Sequence, residues 1–372
     1  MNPVEPRRDE FTPKHPVNEE QETQIEDNLE EEEDIIPSRF SGSVIPKDFD
    51  VDGLVKRLRN GDIYIPSFQR TYVWKPKQAS RFIESLLLGL PVPGIFLAKE
   101  RETNKLLVID GQQRLLSLLY FYEGKFPSSR RAFSLKGVHP DFEGATYKSL
   151  SDADRRQLDN SSLSSTVVEQ NHSDADDSSI YHIFERLNTG GTLLKPQEIR
   201  AAIYHGELND LIDSLNDNES WRSIFGRTDK NKRDQELILR FLALYFGGYS
   251  YKDSMKEFLN NYMSKNRHLK IQSADQVKQA FIPTIEVIYE CLGSRAFKPK
   301  TALNAAIFDA VMVGLARRLE KGSIKNLEQL RFWYQVLLNE KNFIAASTVR
   351  TSNEGNVRLR LQLTTDAFVD LE

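Results

Sequence analysis

Three segments bring together side chains that can do chemistry. Residues 110–114 read DGQQR and lie between the apolar run LLVI and the apolar-periodic LLSLLYFY. A strand feeding a glycine turn and a helix start gathers unpaired backbone N–H groups at the positive end of a helix dipole, which suits a phosphate. Arg114 would add a planar fork for phosphate oxygens, and Asp110 would hold Mg²⁺ or orient a water. The plain structural reading makes Asp110 an N-cap, Gly111 a turn residue and Arg114 a solvated first-turn side chain; residue types alone favour it.

The second segment, residues 65–74, reads IPSFQRTYVW. Gln69 and Arg70 follow a strand and are flanked by Phe68, Tyr72 and Trp74, rings that can stack on a base, frame a pocket or simply pack in a core. The third, residues 184–200, reads FERLNTGGTLLKPQEIR. Gly190 and Gly191 open a backbone path closed to other residues, with Arg186, Asn188 and Arg200 beside it. Taken alone, this is an ordinary helix end, with Asn188 and the glycines as stop signals and Pro196 opening the next helix.

The elements that must position these groups are read from periodicity and breakers. A strand is expected at 63–65, ended by Pro66, and a helix from Pro76 with Ala79, Phe82, Ile83, Leu86 and Leu90 on one face. Buried strands follow at 94–98 and 106–109, then a helix carrying Leu115, Leu118, Leu119 and Tyr122. Further strands are expected at 132–135 and 166–169, and a loop at 171–179. Downstream, helical stripes cover 208–215, 238–245, 277–292 and 303–314, with a last strand at 357–363. The fold class is therefore α+β: a small α/β domain at 39–205, then a mostly helical domain at 206–372.

Composition narrows the functions. The chain has 372 residues and a formal net charge of −4. Residues 1–38 hold 13 Asp/Glu against 3 Lys/Arg, so an acidic tail of −10 precedes a body of +6. This proline- and glutamate-rich tail is expected to be disordered, because it has too little apolar surface to offset its ordering entropy. A further expectation is that the tail screens the basic body until a polyanion displaces it. No apolar run approaches the length of a membrane span, the first residues are too charged for an export signal, and the single cysteine, Cys291, reads as a buried thiol of a reducing cytoplasm. A GxxxxGK P-loop and a GxGxxG fingerprint are both absent, and the six histidines show no metal-ligand spacing.

Read together and in order, IPSFQRTYVW, IDGQQRLLSL and FERLNTGGTLLKPQEIRAAIYHGEL resemble the N-terminal domain of GmrSD-type, modification-dependent restriction systems, domain of unknown function 262. The pieces RDQELILRFLALY at 233–245, FDAVM at 308–312 and NVRLRL at 356–361 extend the likeness through most of the body. The resemblance implies a ParB/sulfiredoxin-like nucleotide-binding fold and binding and hydrolysis of a nucleoside triphosphate with Mg²⁺ at the DGQQR element. Carried over, it implicates Asp110 and Arg114 as catalytic, with Asp110 as the metal ligand. Gly111, Gln112, Gln113, Gln69 and Arg70 then bind nucleotide, as do Arg186, Asn188, Gly190 and Gly191. It also implies DNA and a separately encoded nuclease or effector as partners. Relatives that cut DNA carry an HNH-type nuclease, whereas this chain has no Asp-His dipeptide, so it is not expected to be a nuclease on its own. A ParB-like module that binds DNA or protein without hydrolysis is the alternative, and a folded scaffold with a relict pocket is a third.

Overall fold

The computed structural model describes residues 24–26, 42–66, 72–100, 103–126, 132–170, 178–187, 194–252 and 254–372. The first part of the chain runs β1 (Ile25–Glu26), β2 (Gly42–Pro46), β3 (Phe49–Asp50), α1 (Val51–Asn60), β4 (Ile63–Tyr64), α2 (Pro76–Leu87), β5 (Ile95–Lys99), β6 (Leu106–Asp110), α3 (Gln112–Glu123), α4 (Asp152–Asp159), β7 (Ser162–Leu163) and β8 (Ser165–Gln170). Five of these strands form one mixed sheet in the order β2-β8-β5-β6-β4. The β2/β8 and β5/β6 pairs are antiparallel, and β8/β5 and β6/β4 are parallel.

Local chemistry explains the edges of these elements. Asp50 caps α1 by accepting the Gly53 N–H at 2.5 Å, and Gly61 closes it in the left-handed region at φ +76°. Pro76 opens α2 at a position where its missing N–H costs nothing. The helix stops at Leu87, so Leu90, expected on its apolar face, lies beyond it and is exposed.

The central strands β5 and β6 are largely buried on both faces, which is why they read as continuous apolar runs. Along β6, Leu106 and Val108 face a core shared with α1, α2 and α3, while Leu107 and Ile109 face a second core shared with α5 (Ser178–Leu187). Each such side chain contributes about 1.5–3 kcal/mol of burial. The sheet is thus the wall between the α/β core and the helical one.

Beyond α5 the chain is helical: α6 (Pro196–Ile203), α7 (Glu207–Asn216), α8 (Glu219–Phe225), α9 (Arg233–Gly247), α10 (Met255–Lys265) and α11 (Ala274–Leu292). After the two-residue strand β9 (Leu303–Asn304) come α12 (Ala305–Leu319), α13 (Leu327–Asn339), α14 (Lys341–Thr348) and α15 (Glu354–Phe368). The Cys291 thiol is buried, donates to the Leu327 carbonyl at 3.2 Å, and is pushed up by that burial.

Three expectations are corrected. Residues 357–363 are not a strand but part of α15: Val357, Arg360, Leu361, Thr364 and Phe368 are buried at helical spacing. Residues 132–135 form only an isolated bridge between Ala132 and Lys125, because Phe133 and Leu135 are buried as irregular chain packed on the helical layer. Within the tail expected to lack structure, Ile25–Glu26 pairs in parallel with Leu303–Asn304. The Leu303 N–H reaches the Gln24 carbonyl at 3.0 Å, and Ile25 packs on the helical core, so an apolar contact anchors this short strand.

The motifs RFLALY, FDAVM and NVRLRL meet in the helical core. Arg240 of α9 donates to both oxygens of Asp309 of α12, at 3.2 and 2.6 Å, and Arg360 of α15 reaches the same carboxylate at 3.3 Å. All three are at most 1% exposed, and Arg360 also donates to the carbonyls of Thr351 and Ala346. One carboxylate thus ties three helices that are far apart in sequence.

Candidate functional site

The turn between β6 and α3 is built from a strand that ends at Asp110 and a helix that begins at Gln112. Gly111 is its pivot at φ +97°, a region that side chains rarely enter, and a Cβ there would lie 2.4 Å from Ile95 Cγ2. Gly94 makes a second close approach beside it, where a Cβ would lie 2.7 Å from the Ser164 carbonyl oxygen. The two glycines let β5, β8 and the turn crowd together without side chains between them.

No side chain caps the N-terminus of α3. The amides of its first turn therefore keep the partial positive charge that favours an anion. Asp110 and Arg114, one helical turn apart, form an ion pair with Arg114 Nη2 at 2.7 Å from Asp110 Oδ2. The Asp110 carboxylate is 47% exposed and the Arg114 side chain 15%, so the acid faces solvent while the guanidinium is half sunk beside it. Two polar atoms here, Gln112 Oε1 and Arg114 Nε, are buried with no hydrogen-bond partner among the described residues. Such atoms cost free energy unless a ligand or water completes them.

Gln113 has a different job. Its Oε1 accepts the backbone N–H of Val73 at 3.0 Å and of Trp74 at 3.3 Å, which ties the end of IPSFQRTYVW to the first turn of α3. Tyr72 reinforces that tie through a 2.7 Å hydrogen bond with Ser117 and an edge contact with Tyr120, while Trp74 packs edge-on against Phe82. The two rings are therefore packing groups and not open stacking platforms; burial pushes the Tyr72 phenol up to about 12, so it stays protonated at neutral pH. Gln69 and Arg70, like Asn188, Gly190 and Gly191, lie outside the described residues.

Arg186 is exposed on the last turn of α5, the helix that packs on β6. Arg200, placed by sequence beside the double-glycine turn, is 2% exposed and holds Asn260 at 2.9 Å and Glu236 at 3.0 Å. It is a strut of the helical body. A cluster that the sequence did not reveal lies between α5 and α10: His182 Nδ1 is 3.7 Å from Glu185 and its Nε2 3.1 Å from Glu257, while Lys256 reaches Glu185 at 3.1 Å. The neighbouring carboxylates, Glu185 first and then Glu257, push the His182 imidazole up to about 9. No signal in the sequence links α5 to α10; only folding places them side by side.

Among the described residues no group of three or more His, Cys, Asp or Glu could hold a metal ion as a cage. At the turn, Asp110 is half open to solvent and Arg114 holds only one of its carboxylate oxygens, which leaves the other for a cation. That fits Mg²⁺, which usually binds through one or two carboxylates completed by phosphates and water.

Comparison with known proteins bears on this same region. Residues 51–205 match the family model of the GmrSD restriction endonuclease, N-terminal domain. This matched stretch contains four of the five strands of the main sheet, the DGQQR turn and helices α5 and α6. An uncharacterized protein of Methanocaldococcus jannaschii is 33% identical over 98 residues, covering 20% of this chain and 17% of that protein. The chain therefore spans a minor part of that relative's length.

Proposed function

We propose that this chain is a regulatory component of a restriction-type, DNA-targeting defence system that binds and hydrolyses a nucleoside triphosphate at the DGQQR turn. The observation that carries this reading is the Asp110–Arg114 pair astride an uncapped helix N-terminus that Gly111 opens. The first-turn amides of α3 receive phosphate oxygens, and Gly111 lets them come within hydrogen-bonding distance of the backbone. Arg114 turns from Asp110 toward the phosphates, using the Nε that now lacks a partner, and offsets negative charge as it develops in the transition state. Asp110, released from that pair, orients the attacking water and accepts its proton. Asp110 would hold Mg²⁺, which would supply further charge neutralisation at the phosphates. Gln112 Oε1 is a waiting acceptor for a ligand donor. Gln113 acts through structure, holding the segment that follows Gln69 and Arg70 against α3.

DNA is the proposed regulator, and a separately encoded nuclease the proposed effector, in the cytoplasm. Among the described residues no helix is long and apolar enough to cross a membrane. The test is a panel of nucleoside triphosphates with Mg²⁺, with and without modified DNA, scored for binding and for release of inorganic phosphate. Wild type is expected to turn over at least one of them. Arg114→Ala is expected to lose turnover while keeping its circular dichroism spectrum. Wild-type protein that neither binds nor hydrolyses any of them would sink the proposal. A second reading, recognition without hydrolysis, draws on the same pair, because Asp110 is already engaged by Arg114 at 2.7 Å. It predicts nucleotide binding with no phosphate release.

A further inference from the structure

The opposite end of the sheet holds a second concave site. Strand β5 runs antiparallel to β6, pairing Phe96 with Asp110 at one end and Lys99 with Leu106 at the other. The two ends are separated by about four residues, or roughly 13 Å. At the Lys99 end lies a cavity of about 510 Å³ whose charged lining is Lys47, Arg57, Lys99 and Lys105 against Asp62 and Glu169. That volume is in the range of small-ligand sites.

The balance of charge inside it is not settled by the protein. Lys99 is paired with Glu169 at 3.1 Å. Lys47, Arg57 and Lys105 have no carboxylate partner among the described residues, and only Asp62 remains opposite them. Lys47 and Arg57 are held near one another because both lie over the Phe49 ring, at 5.0 and 5.5 Å from its centroid. Like charges gathered round a concave surface repel one another, and low-dielectric walls focus their field, so an anion relieves what the fold leaves uncompensated.

Glu100, the neighbour of Lys99, is engaged by donors other than the cavity's lysines. Glu100, between Lys99 and the β5–β6 turn, accepts Tyr64 Oη at 2.6 Å, Thr103 Oγ1 at 2.6 Å and Arg267 Nη2 at 2.9 Å. Burial raises its proton affinity, but these three donors outweigh burial and hold it below the usual carboxylate range. Asn104 sits in the left-handed region at φ +55°, and the Glu100 N–H donates to the Lys105 carbonyl at 2.9 Å. Lys99 and Lys105 thus flank Glu100, which Arg267 ties to the helical body. The apolar part of the lining is Ile45, Leu106 and Val167, with no aromatic face on which a base could stack.

We propose that this cavity is a phosphate-oxyanion site separate from the DGQQR turn, read through charge and not through a base. Its ligand is either the phosphodiester backbone of a nucleic acid or a small free polyphosphate. The test compares full-length wild type with Lys47→Glu/Lys105→Glu and with the milder Lys47→Gln/Lys105→Gln. Both sites are exposed, so both variants are expected to fold, which circular dichroism checks. One arm titrates a short DNA duplex across a range of salt, and the other titrates inorganic pyrophosphate alone. A tenfold or greater loss of duplex affinity is expected for the Glu pair, with the slope of log K on log salt reduced by about 2, since each phosphate contact carries about 0.9. The Gln pair should show a smaller loss in the same direction. If duplex binding falls and pyrophosphate binds no variant, the source is nucleic acid; if pyrophosphate binds wild type and is lost with the lysines, a free polyphosphate is the ligand. Wild type that binds neither probe, or variants that bind both as wild type does, would overturn the proposal.

Discussion

Replacing Gly111 by alanine separates the packing of the DGQQR turn from its chemistry. Two costs follow from the geometry. An alanine held at φ +97° is strained by about 1–2 kcal/mol, and its Cβ would sit 2.4 Å from Ile95 Cγ2, an overpacking worth about 1–3 kcal/mol. The single variant should therefore lose about 2–5 kcal/mol, a fall of about 1–2 M in the urea midpoint for an m-value of about 2–3 kcal/mol/M. Ile95→Ala, at a side chain only 1% exposed, removes the clashing methyl but costs about 2–5 kcal/mol through the cavity it leaves. In the double variant the overpacking disappears and the strain does not, so the two losses should fall short of additivity by about 1–3 kcal/mol. Urea unfolding followed by circular dichroism on all four proteins measures that coupling. Strict additivity would refute the packing argument. Nucleotide binding gives a separate readout: if Gly111 also admits phosphate to the backbone, the double variant recovers the coupling yet still binds nucleotide at least tenfold more weakly.

Asp309→Ala leaves two buried guanidinium groups without their carboxylate and should cost about 3–5 kcal/mol, whereas exchanging Arg240, Asp309 and Arg360 together for apolar residues of similar volume should be far milder. Fluorescence of Trp221, whose ring lies 5.4 Å from that of Phe308, reports on this core; a loss under about 1 kcal/mol in the single variant contradicts the strut role. His182 gains two acidic partners on folding, so its folded pKa is raised and its stabilisation is complete below about pH 6.5 and lost as pH rises through about 9. The thermal midpoint should fall across that window in wild type and stay flatter in His182→Gln; parallel profiles contradict it. Changing the four glutamates at 30–33 to glutamine, which preserves the β1/β9 pairing, should tighten duplex binding at low salt if the tail competes for the basic surface, and an unchanged affinity leaves the tail as a solubilising extension.

Much of the α/β core was legible because its signals are local. The strands around Ile63, Leu97 and Val108, and the helices opened by Pro76 and Gly111, are marked by apolar periodicity and by breakers at their ends. Strand β2 and helix α1 were not read, since Val44 and Ile45 are exposed on an edge and α1 buries only Val51, Leu54 and Val55. At the turn, sequence grouped Gln112, Gln113 and Arg114 as one binding motif, whereas folding divides them: Gln113 spends its carbonyl on the backbone of Val73 and Trp74, and Gln112 and Arg114 keep unpartnered atoms.

The amino-acid order by itself determined the strand–glycine–helix turn at residues 110–114, the helical character of most of the second half, and the separation of an acidic tail from a basic body. Only the tertiary structure decided what each charge is for. Arg114 sits at a half-open turn, whereas Arg200, Arg240 and Arg360 are buried struts, and Lys47, Arg57, Lys99 and Lys105 share one cavity though they come from three separate segments. The physical reason is range. Backbone conformation responds to neighbours within a turn or two, which sequence period records. A charge responds to whatever lies within a few ångströms in space, and for Arg240 that is a carboxylate 69 residues away.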